Sequence, residues 1–328
     1  MGRDRKSSNS VVGRPDRTMM GCEAMSEFAI QTTGLCKRFG RLRAVNEVDL
    51  KVPAGCVYGY LGRNGAGKTT TIQMLMGFLQ PTSGRISVLG FDPLREDVAM
   101  KRVVSYVPER VEMYDWMKVR ETLWFGQHLH PRWDPDLAKH LIGRFELPPE
   151  RRVGQLSRGM QGKLALALAL SSHPQLVLLD DPTQGLDAVV RREFIESIVG
   201  ILQEAGTTVF FSSHIIDDVE RVADWVGILH EGKLIVQEPL EQLKASVKRV
   251  LATFPDSAPA QADGAILRQD TDGRRREIIY RTFGPEQESG LHAAGVTDIE
   301  VSDCSLEDIF IAYVGPKRGV PAEGARTS

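Results

Sequence analysis

Nine consecutive residues, Gly62-Arg63-Asn64-Gly65-Ala66-Gly67-Lys68-Thr69-Thr70, hold the chemistry most easily read from this chain. Their pattern is GxxxxGK[ST]. Glycine lets a backbone turn tightly enough for successive N–H groups to face one anion. A helix starting near Lys68 adds the positive end of its dipole. The Lys68 ammonium would neutralise β- and γ-phosphates, and the Thr69 hydroxyl would sit on Mg²⁺. The whole stretch is therefore expected to line a nucleoside triphosphate. Such a loop carries weight only between a strand and a helix. Here the apolar run Cys56–Leu61 precedes it, and Ile72–Leu79, with helical spacing, follows.

Three further stretches hold groups suited to the same chemistry. Leu176-Val177-Leu178-Leu179-Asp180 is an apolar strand ending in a carboxylate. After a phosphate loop, that charge belongs beside the cation held by Thr69; alone, it is equally a strand end with a capping Asp. Ser157 opens a helix in Leu156-Ser157-Arg158-Gly159-Met160-Gln161. It is a good N-cap, Gly159 allows close backbone approach, and a helix N-terminus attracts anions. A plain capped helix reads the same way. His214 follows the run Thr207–Phe211. A histidine leaving the carboxyl end of a parallel strand faces the ligand crevice, although a lone histidine is more often structural.

To position these groups the chain must alternate strand and helix, which is the pattern of an α/β core with a parallel sheet. The run lengths and turn residues predict strands at Phe28–Thr32, Asn46–Val52, Cys56–Leu61, Ile86–Leu89 and Val103–Val107. A helix from Lys68 ends near Gly77. Val119–Phe145 reads as helical with breaks at Pro131 and Pro135, and a long helix runs from Ser157 to about Ser172. Strand Leu176–Leu179, helix Val189–Glu204, strand Thr207–Phe211 and helix Ile215–Ala223 follow, then strands Val226–His230 and Lys233–Gln237. Composition shifts after Ser246. The expected division is a disordered tail at 1–26, a nucleotide-binding domain at 27–245, an α+β appendage at 246–315 and a polar tail at 316–328. Met25, just before the first ordered pattern, is a possible natural start.

Bulk properties narrow the function. The 328 residues are 42% hydrophobic and 26% charged, ordinary values for a globular protein, and the net charge of −2 gives no basic field for nucleic acid. No apolar run approaches the ~18–20 residues of a membrane span, so any membrane-spanning partner is expected on another polypeptide. The four cysteines, Cys22, Cys36, Cys56 and Cys304, are scattered and read as free thiols.

Taken together and in this order, the phosphate loop, the Ser157–Gly159 element, the Asp180 strand, Gly185-Leu186-Asp187 and His214 resemble the ATP-binding cassette (ABC) ATPase family. The resemblance covers about residues 28 to 245. Tyr114-Asp115-Trp116-Met117 and the tail Ser305-Leu306-Glu307-Asp308-Ile309-Phe310 resemble its bacterial ABC-2 export group. It implies a P-loop NTPase core, an N-terminal antiparallel β subdomain and a helical subdomain inserted at about 110–172. ATP and Mg²⁺ are the implied cofactors, with Thr69 and Asp180 as metal-binding residues. Phe39 would stack on the adenine. Two ABC subunits, identical or different, would pair head to tail, so that Ser157 and Gly159 contact the ATP of the other. A separate membrane-spanning permease is the implied partner, and the cytoplasmic face of the cell membrane the implied location. The rival readings are a non-transport ABC ATPase and a poorly hydrolysing regulatory subunit.

Two positions depart from the family pattern. Asp181 stands where the base that orients the attacking water is usually Glu, and Glu109 stands where Gln is usual, although export-type members carry Glu there. Asp181 and His214 are the expected catalytic pair, and Glu109 is expected near the nucleotide. Tyr114 and Trp116 are candidate docking anchors for the permease, whereas Trp124 and Phe125 are expected in the core of the helical subdomain.

Overall fold

The computed structural model describes residues 27–184, 186–187, 191–192, 194–196, 199–200, 206–255 and 264–315. The expected tails, Met25, Cys22 and Gly185 lie outside the described residues.

The first strands build an antiparallel sheet. β1 (Phe28–Phe39), β2 (Leu42–Val48) and β3 (Lys51–Pro53) run in the order β2-β1-β3, and a later strand, β5 (Ser83–Val88), also pairs with β1. β1 outruns the expected Phe28–Thr32 because it serves two sets of neighbours. Its first half pairs with β3 and β5, and register shifts after Leu35 let its second half pair with β2. The expected strand Asn46–Val52 is split between β2 and β3.

The central sheet is where the apolar runs go. β4 (Val57–Gly62), β6 (Val104–Val107), β7 (Leu176–Asp180), β8 (Thr208–Ser213), β9 (Trp225–His230) and β10 (Lys233–Pro239) form six strands in the order β10-β9-β4-β8-β7-β6. Only the β9–β10 pair is antiparallel. Every residue of β4, β7 and β8 is buried, as strands covered on both faces require. Their carboxyl ends therefore share one edge.

Helices cover this sheet. α1 (Lys68–Leu75) stops at Gly77, whose φ of 71° suits glycine, with Phe78 N–H bonded back to the Gln73 carbonyl at 2.9 Å. The short α2 (Asp97–Lys101) was not foreseen. α3 (Val119–Leu129) and α4 (Pro135–Arg144) break where the prolines predicted, and Asp134 Oδ1 caps α4 by accepting from Asp136 N and Leu137 N, both at 2.9 Å. α5 (Arg158–Leu170) follows. Trp124 and Phe125 correct the expectation that they fill the core: they are 60% and 41% exposed. α3 buries Val119, Thr122 and Gly126, spaced three and four apart, and this turns the two aromatics outward.

After β8 come α6 (Ile216–Val222) and α7 (Leu240–Ser246). The appendage then forms a second antiparallel sheet, with β11 (Lys248–Thr253), β12 (Ile266–Asp272), β13 (Arg275–Tyr280) and, after α8 (Pro285–Ala293), β14 (Thr297–Asp303), in the order β12-β13-β11-β14. It has a small core of its own around Val250, Phe254, Ile278 and Leu291. The last helix, α9 (Leu306–Val314), leaves that core. Leu306, Ile309 and Ala312 join the main core, in the same cluster as Val219 of α6. Of the helix expected at Val189–Glu204, the described residues 191–192, 194–196 and 199–200 are helical. Among the described residues no helix is long and apolar enough to cross a membrane.

Candidate functional site

The phosphate loop closes tightly between β4 and α1. Gly65 and Gly67 have φ of 80° and 108°, and a Cβ on Gly67 would collide with the Ala44 carbonyl of β2. Ala66 is buried, whereas Arg63, Asn64 and Gly65 are exposed, and Thr70 is half-buried. Lys68 Nζ folds back over the loop and donates to Gly62 O at 2.7 Å and Arg63 O at 3.3 Å. Burial pulls the Lys68 ammonium below its ordinary pKa, and the carboxylates of Asp181, Asp180 and Glu109 oppose that pull. A nucleotide phosphate arriving here would exchange places with two carbonyl acceptors.

The carboxyl ends of β7 and β8 supply the acidic side of the site. Thr69 Oγ1 donates to Asp180 Oδ1 at 3.1 Å. The Ser212 hydroxyl donates to the same oxygen at 2.8 Å and accepts from the Asp181 N–H at 2.9 Å. Sequence reasoning missed Ser212. Its signal was a pair of hydroxyl residues, Ser212-Ser213, closing an otherwise apolar run. Asp180 Oδ2 is buried without a hydrogen-bond partner. Burial, with repulsion from Glu109 and Asp181, raises the Asp180 carboxyl above the ordinary Asp range, against the Ser212 and Thr69 hydrogen bonds. A hydroxyl and a carboxylate with an unused oxygen are a hard oxygen donor set, so Thr69 and Asp180 fit a divalent cation completed by phosphates and water.

Asp181 and His214 are brought together. His214 Nδ1 lies 2.5 Å from Asp181 Oδ2, joining the ends of β7 and β8. Asp181 is buried, and its other oxygen, Oδ1, has no hydrogen-bond partner. Its φ of 45° lies in the left-handed region, which Asp enters more readily than most residues though still uncommonly.

Ser157, Gly159 and Phe39 take no part in the contacts above, whereas the Glu109 charge reaches Lys68 and Asp180. Ser157 Oγ caps α5 by accepting from Met160 N at 3.3 Å, as its position foretold, and the residue faces solvent. Gly159 is buried behind it. Glu109, Arg158, Gly159 and Gln184 line one pocket of about 340 Å³, which places Glu109 beside the start of α5. Phe39 ends β1 with its ring 49% exposed and Lys37 Nζ 5.2 Å from the ring centroid. A second, more apolar pocket of about 440 Å³ opens where β6 meets the helical subdomain, lined by Tyr106, Tyr114, Met117, Phe125, Trp133 and Leu168 among others.

The family model for ABC transporters matches residues 45–184. The bacitracin transport ATP-binding protein of Bacillus licheniformis is 33% identical over 300 residues, covering 87% of this chain and 97% of that protein. The chain belongs to the ABC transporter ATP-binding proteins. It is an ABC ATPase subunit of the ABC-2 export type. The daunorubicin/doxorubicin resistance ATP-binding protein of Streptomyces peucetius is 32% identical, with 88% of this chain and 92% of that protein covered. Among solved structures, cbiO1 of Clostridium perfringens, part of the ABC transporter complex cbiONQ, aligns with a TM-score of 0.59 and 25% identity over 67% of this chain and 91% of its own.

Proposed function

We propose that this ABC subunit binds and hydrolyses Mg-ATP at the loop Gly62–Thr70 and that the cycle drives a separate membrane permease of an exporter. The observation that supports it best is the junction of Thr69, Asp180 and Ser212, with two buried carboxylate oxygens, Asp180 Oδ2 and Asp181 Oδ1, left to accept. In this reading the loop N–H groups and Lys68 hold the phosphates, and Thr69 and Asp180 hold Mg²⁺. Bound there, the ion would neutralise charge building on the phosphoryl oxygens. Asp181 Oδ1 accepts a hydrogen bond from the attacking water and turns a lone pair toward the γ-phosphorus. His214, paired to Asp181 Oδ2, fixes the direction of that carboxylate. Glu109 reaches the same water from the β6 side.

The exposed start of α5 shares its pocket with Glu109 and Gln184 and with none of Gly62–Thr70, and the reading pairs it with a second subunit. The start of α5 closes over the ATP of its partner, and hydrolysis frees the pair because only the triphosphate is gripped from both sides. The apolar pocket beside Tyr114 and Trp116 takes a segment of the permease, which holds the subunit at the cytoplasmic face of the membrane. Isothermal calorimetry tests the foundation. Mg-ATP should bind the intact chain, and Lys68→Ala should weaken binding by about a hundredfold or more. Equal affinities would refute the site.

A further inference from the structure

Asp218 is a buried carboxylate that the mechanism above does not use. It lies on α6, four residues past His214, with its side chain 7% exposed. Thr183 Oγ1 donates to its Oδ2 at 3.1 Å, and Arg191 Nε lies 3.2 Å from its Oδ1, an ion pair off hydrogen-bond geometry. Burial raises the Asp218 carboxyl, with Arg191 and Thr183 opposing the rise. A charge there is costly, and capping a seven-residue helix does not require one.

The two partners of Asp218 flank the segment that leaves β7. Thr183 is two residues beyond Asp181, and Arg191 is eight beyond Thr183. Two cross-links therefore tie the segment that follows β7 to the one that follows β8. The first is Asp181 to His214, and the second is Thr183 and Arg191 to Asp218. Asp181 needs the second. Its backbone is left-handed, a conformation that Asp tolerates better than most residues but that still costs free energy. Ser212 fixes its N–H, His214 fixes its carboxylate, and Thr183 anchors the chain just downstream.

We infer that Asp218 is a positioning residue: through Thr183 and Arg191 it holds Asp181 within reach of His214. The inference rests on the ATPase reading above. A purely structural ion pair is the alternative: removing one partner of a buried pair destabilises by leaving the other charge uncompensated, whether or not the pair acts on a neighbouring site.

Asp218→Asn keeps the shape and removes the charge that Arg191 faces. The full-length variant is expected to lose about tenfold or more in kcat. Its calorimetric affinity for Mg-ATP should stay within about twofold of the wild type, because the loop is untouched. In a His214→Ala background the same substitution should cost less than about twofold, since the contact it protects is already gone. Equal losses in both backgrounds would overturn the inference. A second readout does not depend on turnover. The His214 ring resonances, assigned by their disappearance in His214→Ala, should shift in Asp218→Asn and in Arg191→Gln. Unmoved resonances in folded Asp218→Asn protein overturn the positioning role. A chain that turns over no ATP, but whose His214 signals move, sinks the ATPase reading and leaves this one standing.

Discussion

Asp180 and Asp181 are buried neighbours with different partners. Burial and two nearby carboxylates raise the Asp180 carboxyl above the ordinary Asp range, so wherever it is ionised its charge opposes folding. The opposition fades as pH falls through the folded-state value toward the unfolded one. Asp180→Asn keeps an acceptor for Thr69 and Ser212 and removes the charge. Without nucleotide, its thermal midpoint should exceed the wild type by a few degrees at about pH 7, with the gap closing in acid. Scanning calorimetry across pH checks this, and hydrolysis by that variant should be lost. Asp181 is one methylene shorter than the Glu usual in the family, so its free oxygen sits roughly 1 Å further from the water it must orient. Asp181→Glu should raise ATP turnover, by up to about a hundredfold; an unchanged kcat would mean that the left-handed backbone at Asp181 already makes up the distance. Lys68, Thr69 and Asp180 were legible in the sequence because a phosphate loop and a strand carboxylate are local patterns. Ser212 and Asp218 were not, because their partners lie 32 and 35 residues away on another strand end, and only the β7–β8 pairing makes them neighbours.

At the scale of elements, legibility followed how many neighbours a segment serves. β4, β7 and β8, buried on both faces, announced themselves as unbroken apolar runs. β1 was cut short in the reading because it changes partners midway, which no run of residue types reveals. α3 was misread in a different way. Its aromatics suggested burial, yet the buried line is Val119, Thr122 and Gly126, where glycine admits the Trp133 ring and Leu168. Trp124 instead lies against His128, the rings tilted by 41° with centroids 4.2 Å apart, and Tyr114 lies against Trp116 at 5.7 Å. Of these exposed aromatics, Tyr114 and Phe125 line the apolar pocket, and Trp116 reaches it through its contact with Tyr114. If that face seats the permease, Trp116→Ala should weaken copurification from membranes by about tenfold or more while leaving Mg-ATP affinity unchanged. Loss of both would assign Trp116 a role in folding.

Among the described residues there are three sheets, and one helix, α9, leads from the last of them back to the main core. The composition shift after Ser246 gave no sign of the return of α9. Arg249 of β11 holds α9 in register through Asp308, at 2.6 Å, while Leu306 and Ile309 are fully buried against the main core. Ile309→Asp should therefore destabilise the nucleotide-binding part itself, by about 3 kcal/mol or more, seen as a lower thermal midpoint for the ATP-protected transition. An effect confined to the appendage would contradict this packing. The proposed boundary at 245/246 separates the central sheet from that of the appendage, yet the first of them is roofed by residues from beyond the second. A graft of residues 27–245 onto a foreign permease would arrive with an open apolar trench along α6, and a transplant that keeps its shape would have to bring 305–315 along as a lid.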